Sequence, residues 1–184
     1  MPLGRGQGRF RIQFGHSLRG LGAVGRREYS QSAADGKKTG VHMQTVSQLL
    51  QAKGNQIFSV APSDSVLRAI EIMATRHVGA LLVMTEGTLL GIISERDYAR
   101  KVILKNRSSH DTPVSDIMSS PAVSVTPDDT VHHCMQLMTE GRFRHLPVVK
   151  AGRVVGMLSI GDLVKAVIQE QTHHIEQLER YIAG

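Results

Sequence analysis

Nothing constrains this chain more than a match to itself at a fixed offset. Gly91-Ile92-Ile93-Ser94-Glu95-Arg96-Asp97 returns as Gly156-Met157-Leu158-Ser159-Ile160-Gly161-Asp162, sixty-five positions later (156 minus 91). Val60, Pro62, Asp64, Val66, Met73, Leu81, Val83, Gly87, Val102 and Ile103 also recur, at Val125, Pro127, Asp129, Val131, Met138, Leu146, Val148, Gly152, Val167 and Ile168, without a gap. A repeat of this length means two copies of one supersecondary unit. Each copy is too small to bury a sheet alone, so the two must fold against each other.

Within one copy the pattern reads strand, helix, strand, strand, helix. Val46, Leu49 and Leu50 lie at helical spacing in a short lead-in helix that Lys53-Gly54-Asn55 ends. Ile57, Phe58 and Val60 make a short strand, Pro62-Ser63-Asp64-Ser65 a turn and cap, and Val66, Ala69, Ile70 and Met73 the apolar side of a helix. Val78 to Met84 is an apolar run of the kind buried on both faces. Glu86-Gly87-Thr88 turns into a strand over Leu89 to Ile93, and Ser94 opens a helix to about Lys105. After the polar stretch 106–112, Val114 to Met118 repeats the lead-in helix and the same order begins again. The expected organisation is a leader over 1–42, units over 43–105 and 113–170 joined by 106–112, and a helical extension over 171–184.

Each Gly-x-x-Ser-x-x-Asp segment reads as strand end, turn and helix start. A capping serine leaves the first helical N–H groups outward, where they favour an anion, and an aspartate one turn in can accept from a vicinal diol. Phosphate on the helix end and ribose on Asp97 or Asp162 would make two nucleotide sites. Ser-x-x-Asp is equally the pattern of an ordinary capping box, in which the acid folds back on its own cap.

Charge argues against a nucleic-acid partner. Residues 1–42 carry six Arg plus Lys37 and Lys38 against Glu28 and Asp35, which accounts for the whole net charge of +6. From Met43 onward 14 basic residues (22 minus 8) meet 14 acidic ones (16 minus 2), so no basic face is implied, and with 4% aromatics there is no stacking platform for single strands. The single Cys134 excludes an internal disulfide and a cysteine metal cluster, and falls on the apolar side of a helix. No run approaches the eighteen or so apolar residues that a membrane span requires.

The leader supports two readings, beside a third, Gly4-Arg5-Gly6-Gln7-Gly8 as an RNA-binding arm, that rests on one short copy. Its Arg-rich stretch holds no acid before Glu28, carries scattered Phe10, Phe14, Leu18 and Leu21, and ends in Arg27-Glu28-Tyr29-Ser30, all marks of a mitochondrial transit peptide. Its many glycines oppose an amphipathic helix and fit an over-extended frame, with Met43 as the start of a cytosolic protein.

Together, Val-Ser-Asp-Ile-Met at 114–118, Ser-Val-x-Pro-x-Asp-x-Val in both copies, Arg-His-Leu-Pro-Val-Val at 144–149 and the two Gly-x-x-Ser-x-x-Asp segments resemble the cystathionine β-synthase (CBS) domain pair. The likeness runs from Val46 to about Val167. It implies an α/β (α+β) fold of two β-α-β-β-α units related by a pseudo-twofold, with clefts between them and pairing into a flat homodimer. It also implies an adenosine ligand (AMP, ADP or ATP, with NAD or S-adenosylmethionine as further members of the class) and a regulatory role toward a partner protein; some organellar relatives act on thioredoxins. Carried onto this chain, Asp97 and Asp162 would hold ribose hydroxyls, Ser94 and Ser159 would sit at the ribose and phosphate, and Arg96 would meet the phosphate. The second copy has Gly161 in place of Arg96, a loss that Arg144 and His145 are expected to offset in part. The first has Gly79 and Ala80 at the latter two positions, leaving room for a base, so unequal sites are expected.

No convergent base and nucleophile, metal-ligand motif or Gly-Lys-Ser/Thr phosphate loop is present, so neither an enzyme nor a metal or cofactor requirement is supported. His132-His133 and His173-His174 are adjacent pairs, and neighbours on a helix do not share a face. The last helix overshoots the repeat with Val164, Val167, Ile168, Ile175, Leu178 and Ile182, a stripe that either packs on the core or is buried in a homodimer. Two function classes remain: a nucleotide-binding regulatory module, and a dimerisation scaffold whose Ser and Asp are only caps.

Overall fold

The structure, a computed structural model, describes residues 44–184; the leader, and with it each reading of its role and the Met43 start, lies outside the described residues. Caps written in the sequence set the element ends. Helix α1 (Val46–Lys53) opens on Thr45 in a reciprocal capping box with Gln48 and closes at Gly54, whose φ of 89° few other residues tolerate. Strand β1 (Ser59–Val60) precedes α2 (Val66–Arg76), capped by Ser65. Strands β2 (Ala80–Thr85) and β3 (Thr88–Ser94) form a hairpin, and α3 (Glu95–Lys101) leaves its end. In the second repeat come α4 (Val131–Gly141), β4 (His145–Lys150), β5 (Arg153–Ser159) and α5 (Ile160–Ala183). Both hairpins are antiparallel and carry an irregularity at equivalent places, Val83/Met84 and Val148/Val149.

Three elements differ from the sequence reading, each for a local reason. The first sheet has three strands, β1-β2-β3, and the second only β4-β5. In the first, the Leu82 N–H donates to the Phe58 carbonyl at 3.1 Å, but the residue equivalent to Leu82 is Pro147, which has no N–H. Pairing there shrinks to one bridge, with Val125 N–H donating to Pro147 O at 3.0 Å and Val149 N–H to Val125 O at 2.8 Å. The second lead-in is one 3₁₀ turn, Val114–Asp116, rather than a helix, because by Ser119 the chain is extended and exchanges both backbone bonds with Ile92 of β3, at 3.0 and 2.8 Å. Helix α3 stops at Lys101, and a 3₁₀ turn over Ile103–Lys105 ends at Asn106 in the left-handed conformation, which turns the chain back. The stretch 106–112 is then bonded rather than free: the carbonyls of Ser109 and Thr112 accept the first two N–H groups of α2, which no helix can satisfy internally.

The two lead-ins are exchanged between repeats. Val46, Leu49 and Leu50 of α1 belong to the core of the second repeat, with Val131, Cys134, Leu146, Val148, Leu158 and Leu163. Val114 and Ile117 belong to that of the first, with Val66, Met73, Leu81, Val83 and Ile93. Backbone bonds fix both crossings: Val46 N–H to Asp129 O at 2.8 Å, and Val114 N–H to Asp64 O at 2.9 Å. The acceptors are sixty-five apart (129 minus 64) and the donors sixty-eight (114 minus 46), so the first lead-in stands three residues further ahead of its strand than the second does, and the pseudo-symmetry absorbs the difference between α1 and β1. Cys134 is fully buried, and burial pushes its thiol up to about 12, an inert core position.

The recurring glycines Gly91 and Gly156 mark where the lead-ins sit. A Cβ on Gly156 would lie 2.7 Å from a Leu50 methyl, and one on Gly91 would lie 2.7 Å from the Ser119 carbonyl oxygen and 3.2 Å from the Met118 sulfur. A Leu side chain can rotate away, whereas the Ser119 carbonyl is held by Ile92. Gly91→Ala should therefore destabilise by about 1–3 kcal/mol, as overpacking against fixed atoms does, and Gly156→Ala by less. Ile117→Ala, in a lead-in outside the repeat it completes, should cost about 2–5 kcal/mol, as deletion within a packed core does. Urea unfolding of the three variants checks the order.

Candidate functional site

Two clefts lie at the ends of β3 and β5, and each is built from both repeats. The larger, about 650 Å³, brings Ser94, Glu95, Arg96, Asp97, Arg100 and Lys101 together with Ser119 and Val123 and with 141–145 from the α4–β4 corner. The smaller, about 360 Å³, brings Ser159, Asp162 and Met157 together with Lys53 and Gly54 of α1 and with His77, Val78 and Gly79 from the α2–β2 corner. His77 and Arg142, equivalent by the repeat, both end their helices left-handed at φ 54°, so each corner projects into the cleft of the other repeat's aspartate.

This crossing corrects the sequence assignment of the flanking residues. Arg144 lines the Asp97 cleft and does not restore charge beside Asp162. Gly79 and His145 line both clefts, and a Cβ on Gly79 would come within 3.5 Å of the His145 ring. Ala80 is fully buried in β2, paired with Ser94, and lines neither cleft. The expectation that a neutral globule shows no basic face also fails locally. Arg96, Arg100, Lys101, Arg142 and Arg144 meet only Glu95 and Asp97 in the larger cleft, five cations against two carboxylates. Such a wall focuses positive potential and draws an anion.

The capping-box reading of Ser-x-x-Asp holds at both sites. Asp97 Oδ2 accepts from the Ser94 N–H at 3.1 Å and from its hydroxyl at 2.6 Å, while Oδ1 accepts from Lys101 Nζ at 2.8 Å and Ser119 Oγ at 3.4 Å. Asp162 Oδ2 accepts from the Ser159 N–H at 2.7 Å, its hydroxyl at 2.8 Å and Lys53 Nζ at 2.6 Å; among the described residues no donor meets Oδ1. Each carboxylate oxygen has two lone pairs, so Asp162 Oδ1 can take a diol with the box intact, whereas at Asp97 protein donors meet all four and a diol there must displace Ser119 or Lys101. Arg96 is tied across the cleft, its Nη1 donating to the Arg142 carbonyl at 2.7 Å, where it also satisfies the C-terminal end of α4. Gly161 has no side chain to do this.

Lys53, Arg100, Lys101 and Arg142 were missed as cleft residues. Lys53 carried a readable signal only as the end of α1; its reach to Asp162, 109 positions away, follows from the exchanged lead-in. It also donates to Met157 O at 2.8 Å, as Lys101 does to Ile117 O at 2.6 Å, so a lysine ties each capping aspartate to a neighbouring backbone. Burial alone would raise the Asp162 carboxyl, but the Lys53 and Ser159 hydrogen bonds outweigh it and hold the group below its ordinary value. His145 moves down from its usual range chiefly because it is buried, helped by Lys53 and Arg144 and opposed by Asp162.

The CBS domain family model matches residues 53–104 and 114–169. The chain is 40% identical over 167 residues, 86% of its length and 81% of the other's, to the mitochondrial CBS domain-containing protein CBSX3 of Arabidopsis thaliana. In structure it is similar to a putative signal-transduction protein with CBS domains from Burkholderia ambifaria (TM-score 0.68, 49% identity, covering 70% of this chain and 96% of that one). A CBS domain protein from Pyrobaculum aerophilum complexed with AMP also matches (TM-score 0.59, 26% identity, 65% and 89% covered). The chain belongs to the CBS domain family, and its two repeats form a CBS pair. Among the described residues no helix is long and apolar enough to cross a membrane.

The buried histidine gives stability a pH signature. With its folded pKa below the ordinary 6.5, His145 contributes stability that is present above that value and lost as pH falls from it through the folded value, because the unfolded chain then takes up the proton first. Unfolding free energy should drop between pH 7 and 5, and His145→Gln should flatten that part of the profile.

Proposed function

We propose that the chain is a regulatory module that binds an adenosine nucleotide in the Asp97 cleft and controls a partner protein through it. The observation that carries the reading is the set of five cations surrounding the Ser94–Asp97 corner, assembled from both repeats in a cleft of about 650 Å³, within the range of small-molecule sites. AMP, ADP and ATP fit that charge; NAD and S-adenosylmethionine remain in the ligand class. The complex of a family member with AMP supports the assignment. In this reading Asp97 meets the ribose, Ser94 and the arginines the phosphate, and Gly79 and His145 flank the base. The Asp162 cleft, smaller and with Lys53 as its cation, is the weaker or empty site.

Because residues of both repeats line the cleft, a ligand bears on how the repeats meet, and a partner that distinguishes the two arrangements reads its presence. A thioredoxin-type protein or a metabolic enzyme is the partner class, and the Arg-rich leader with no acid before Glu28, with the likeness to a protein named as mitochondrial, supports the matrix as its place. One observation favours the scaffold alternative: both oxygens of Asp97 already have protein donors.

Calorimetric titration of the whole chain with AMP, ADP, ATP, NADH and S-adenosylmethionine separates the two. One dominant site per chain is expected, weakened about tenfold by Arg144→Ala, which removes a charge-assisted hydrogen bond, and unaffected by Asp162→Ala. Two equal sites would contradict the assignment. No heat with any ligand from a folded protein, and an Asp97→Ala variant that loses only the stability of a cap, would establish the scaffold.

A further inference from the structure

Helices α2 and α4 end in the same way, and in both the end is occupied by an unfavourable residue. Each closes in a Schellman turn. In the first repeat Val78 N–H donates to Met73 O at 3.0 Å and His77 N–H to Ala74 O at 3.4 Å; in the second Phe143 N–H donates to Met138 O at 3.2 Å and Arg142 N–H to Thr139 O at 3.4 Å. The turn puts the residue just past the helix in the left-handed region, which is why glycine usually stands there. Here it is His77 and Arg142, both at φ 54°. The other non-glycine residues with positive φ among the described ones have a local reason. Asn106 is of a type that accepts it, and Glu86 and Ala151 open two-residue hairpin turns, completed by Gly87 and Gly152, in which both residues are left-handed.

A glycine does stand beside Arg142, one residue too early. A Cβ on Gly141 would lie 2.2 Å from the Phe143 ring, so glycine at 141 makes room for Phe143 to pack on the second core, and the left-handed position falls to Arg142. In the first repeat, where Val78 stands in the place of Phe143, the residue equivalent to Gly141 is Arg76. The helix end therefore gives no reason for an arginine at 142. The cleft gives one. Residue 142 acts twice there: its carbonyl accepts from Arg96 Nη1 at 2.7 Å, which holds that guanidinium across the cleft, and its side chain adds a cation to the wall around Ser94 and Asp97. Lys101 is already committed to Asp97 and to Ile117 O, so Arg96, Arg100, Arg142 and Arg144 are the cations left to meet an anion. Backbone strain kept against a residue's own preference is concentrated where a ligand needs the side chain.

We infer that Arg142 is a specificity-determining residue for the anionic end of the ligand: its positive charge completes the wall that meets phosphate, and the fold keeps it left-handed at a cost in stability. Glycine at 142 would suit the helix end better and the cleft worse. This role rests on the reading of the Asp97 cleft as an anion site, and adds to it a residue that trades stability for anion affinity.

Arg142→Gly isolates the side chain, because it keeps the carbonyl that holds Arg96 and removes only the charge and the strain. The full chain is titrated calorimetrically with pyrophosphate and with AMP, and its thermal unfolding is followed without ligand. Arg142→Gly should raise Tm by about 2–4 °C, as relief of one left-handed side chain does, and weaken both ligands about tenfold. Arg142→Lys, which keeps both the charge and the strain, should stay close to the wild type in Tm and in affinity. An Arg142→Gly chain that binds like the wild type or loses stability overturns the assignment, and so does an Arg142→Lys chain that matches Arg142→Gly in either measurement. If neither pyrophosphate nor AMP binds the folded wild type, the anion reading of the cleft fails and the role of Arg142 with it. Binding that Arg142→Gly leaves intact removes the role of Arg142 alone.

Discussion

The exchange of lead-in segments is the contact on which the rest of the structure depends. A β-α-β-β-α unit of about sixty residues buries too little apolar surface to stand alone. Here each unit borrows three apolar residues from the segment ahead of the other: Val46, Leu49 and Leu50 complete one core, Val114, Ile117 and Met118 the other. The exchange also fixes Gly91 and Gly156, whose missing side chains seat Met118 with Ser119 and Leu50. Because the first N–H groups of α1 are accepted by Asp129 and Pro127 in the turn ahead of α4, and those of α2 by Thr112 and Ser109 just ahead of the second lead-in, the crossing is held by directional bonds as well as by area.

The same crossing makes the clefts. Each capping aspartate sits at the end of its own hairpin, but the corner facing it comes from the other repeat. In the proposed reading, a ligand that shifts one wall of such a site also bears on the relation between repeats. The clefts differ because the repeats diverged where they cross. Arg142 and Arg144 replace His77 and Gly79, so the cleft facing Asp97 gathers cations while that facing Asp162 keeps one lysine.

Much of this was legible in the residues. The sixty-five-residue offset carried the fold, and the caps Thr45, Ser65, Ser94 and Ser159 stand where polar residues precede apolar periodicity. Pro147 removing a donor from the second sheet was readable too, had strand pairing been traced residue by residue. Of the site, Ser94, Arg96, Asp97, Ser159, Asp162, Gly79, Arg144 and His145 line a cleft and Ala80 does not. The charge balance from Met43 onward misled, because a sum of zero carries no information about where the charges lie.

The sequence by itself determined the repeat, the order of elements within it, the burial of Cys134 and the identity of the two capping pairs, because these are set by short-range periodicity and by neighbours three or four residues apart. Only the tertiary structure decided which lead-in completes which core, that Arg144 serves Asp97 rather than Asp162, and that Lys53 reaches Asp162. Those pairings join residues far apart in the chain, and the choice between keeping a segment and exchanging it rests on packing volume and backbone bonds that no local pattern encodes.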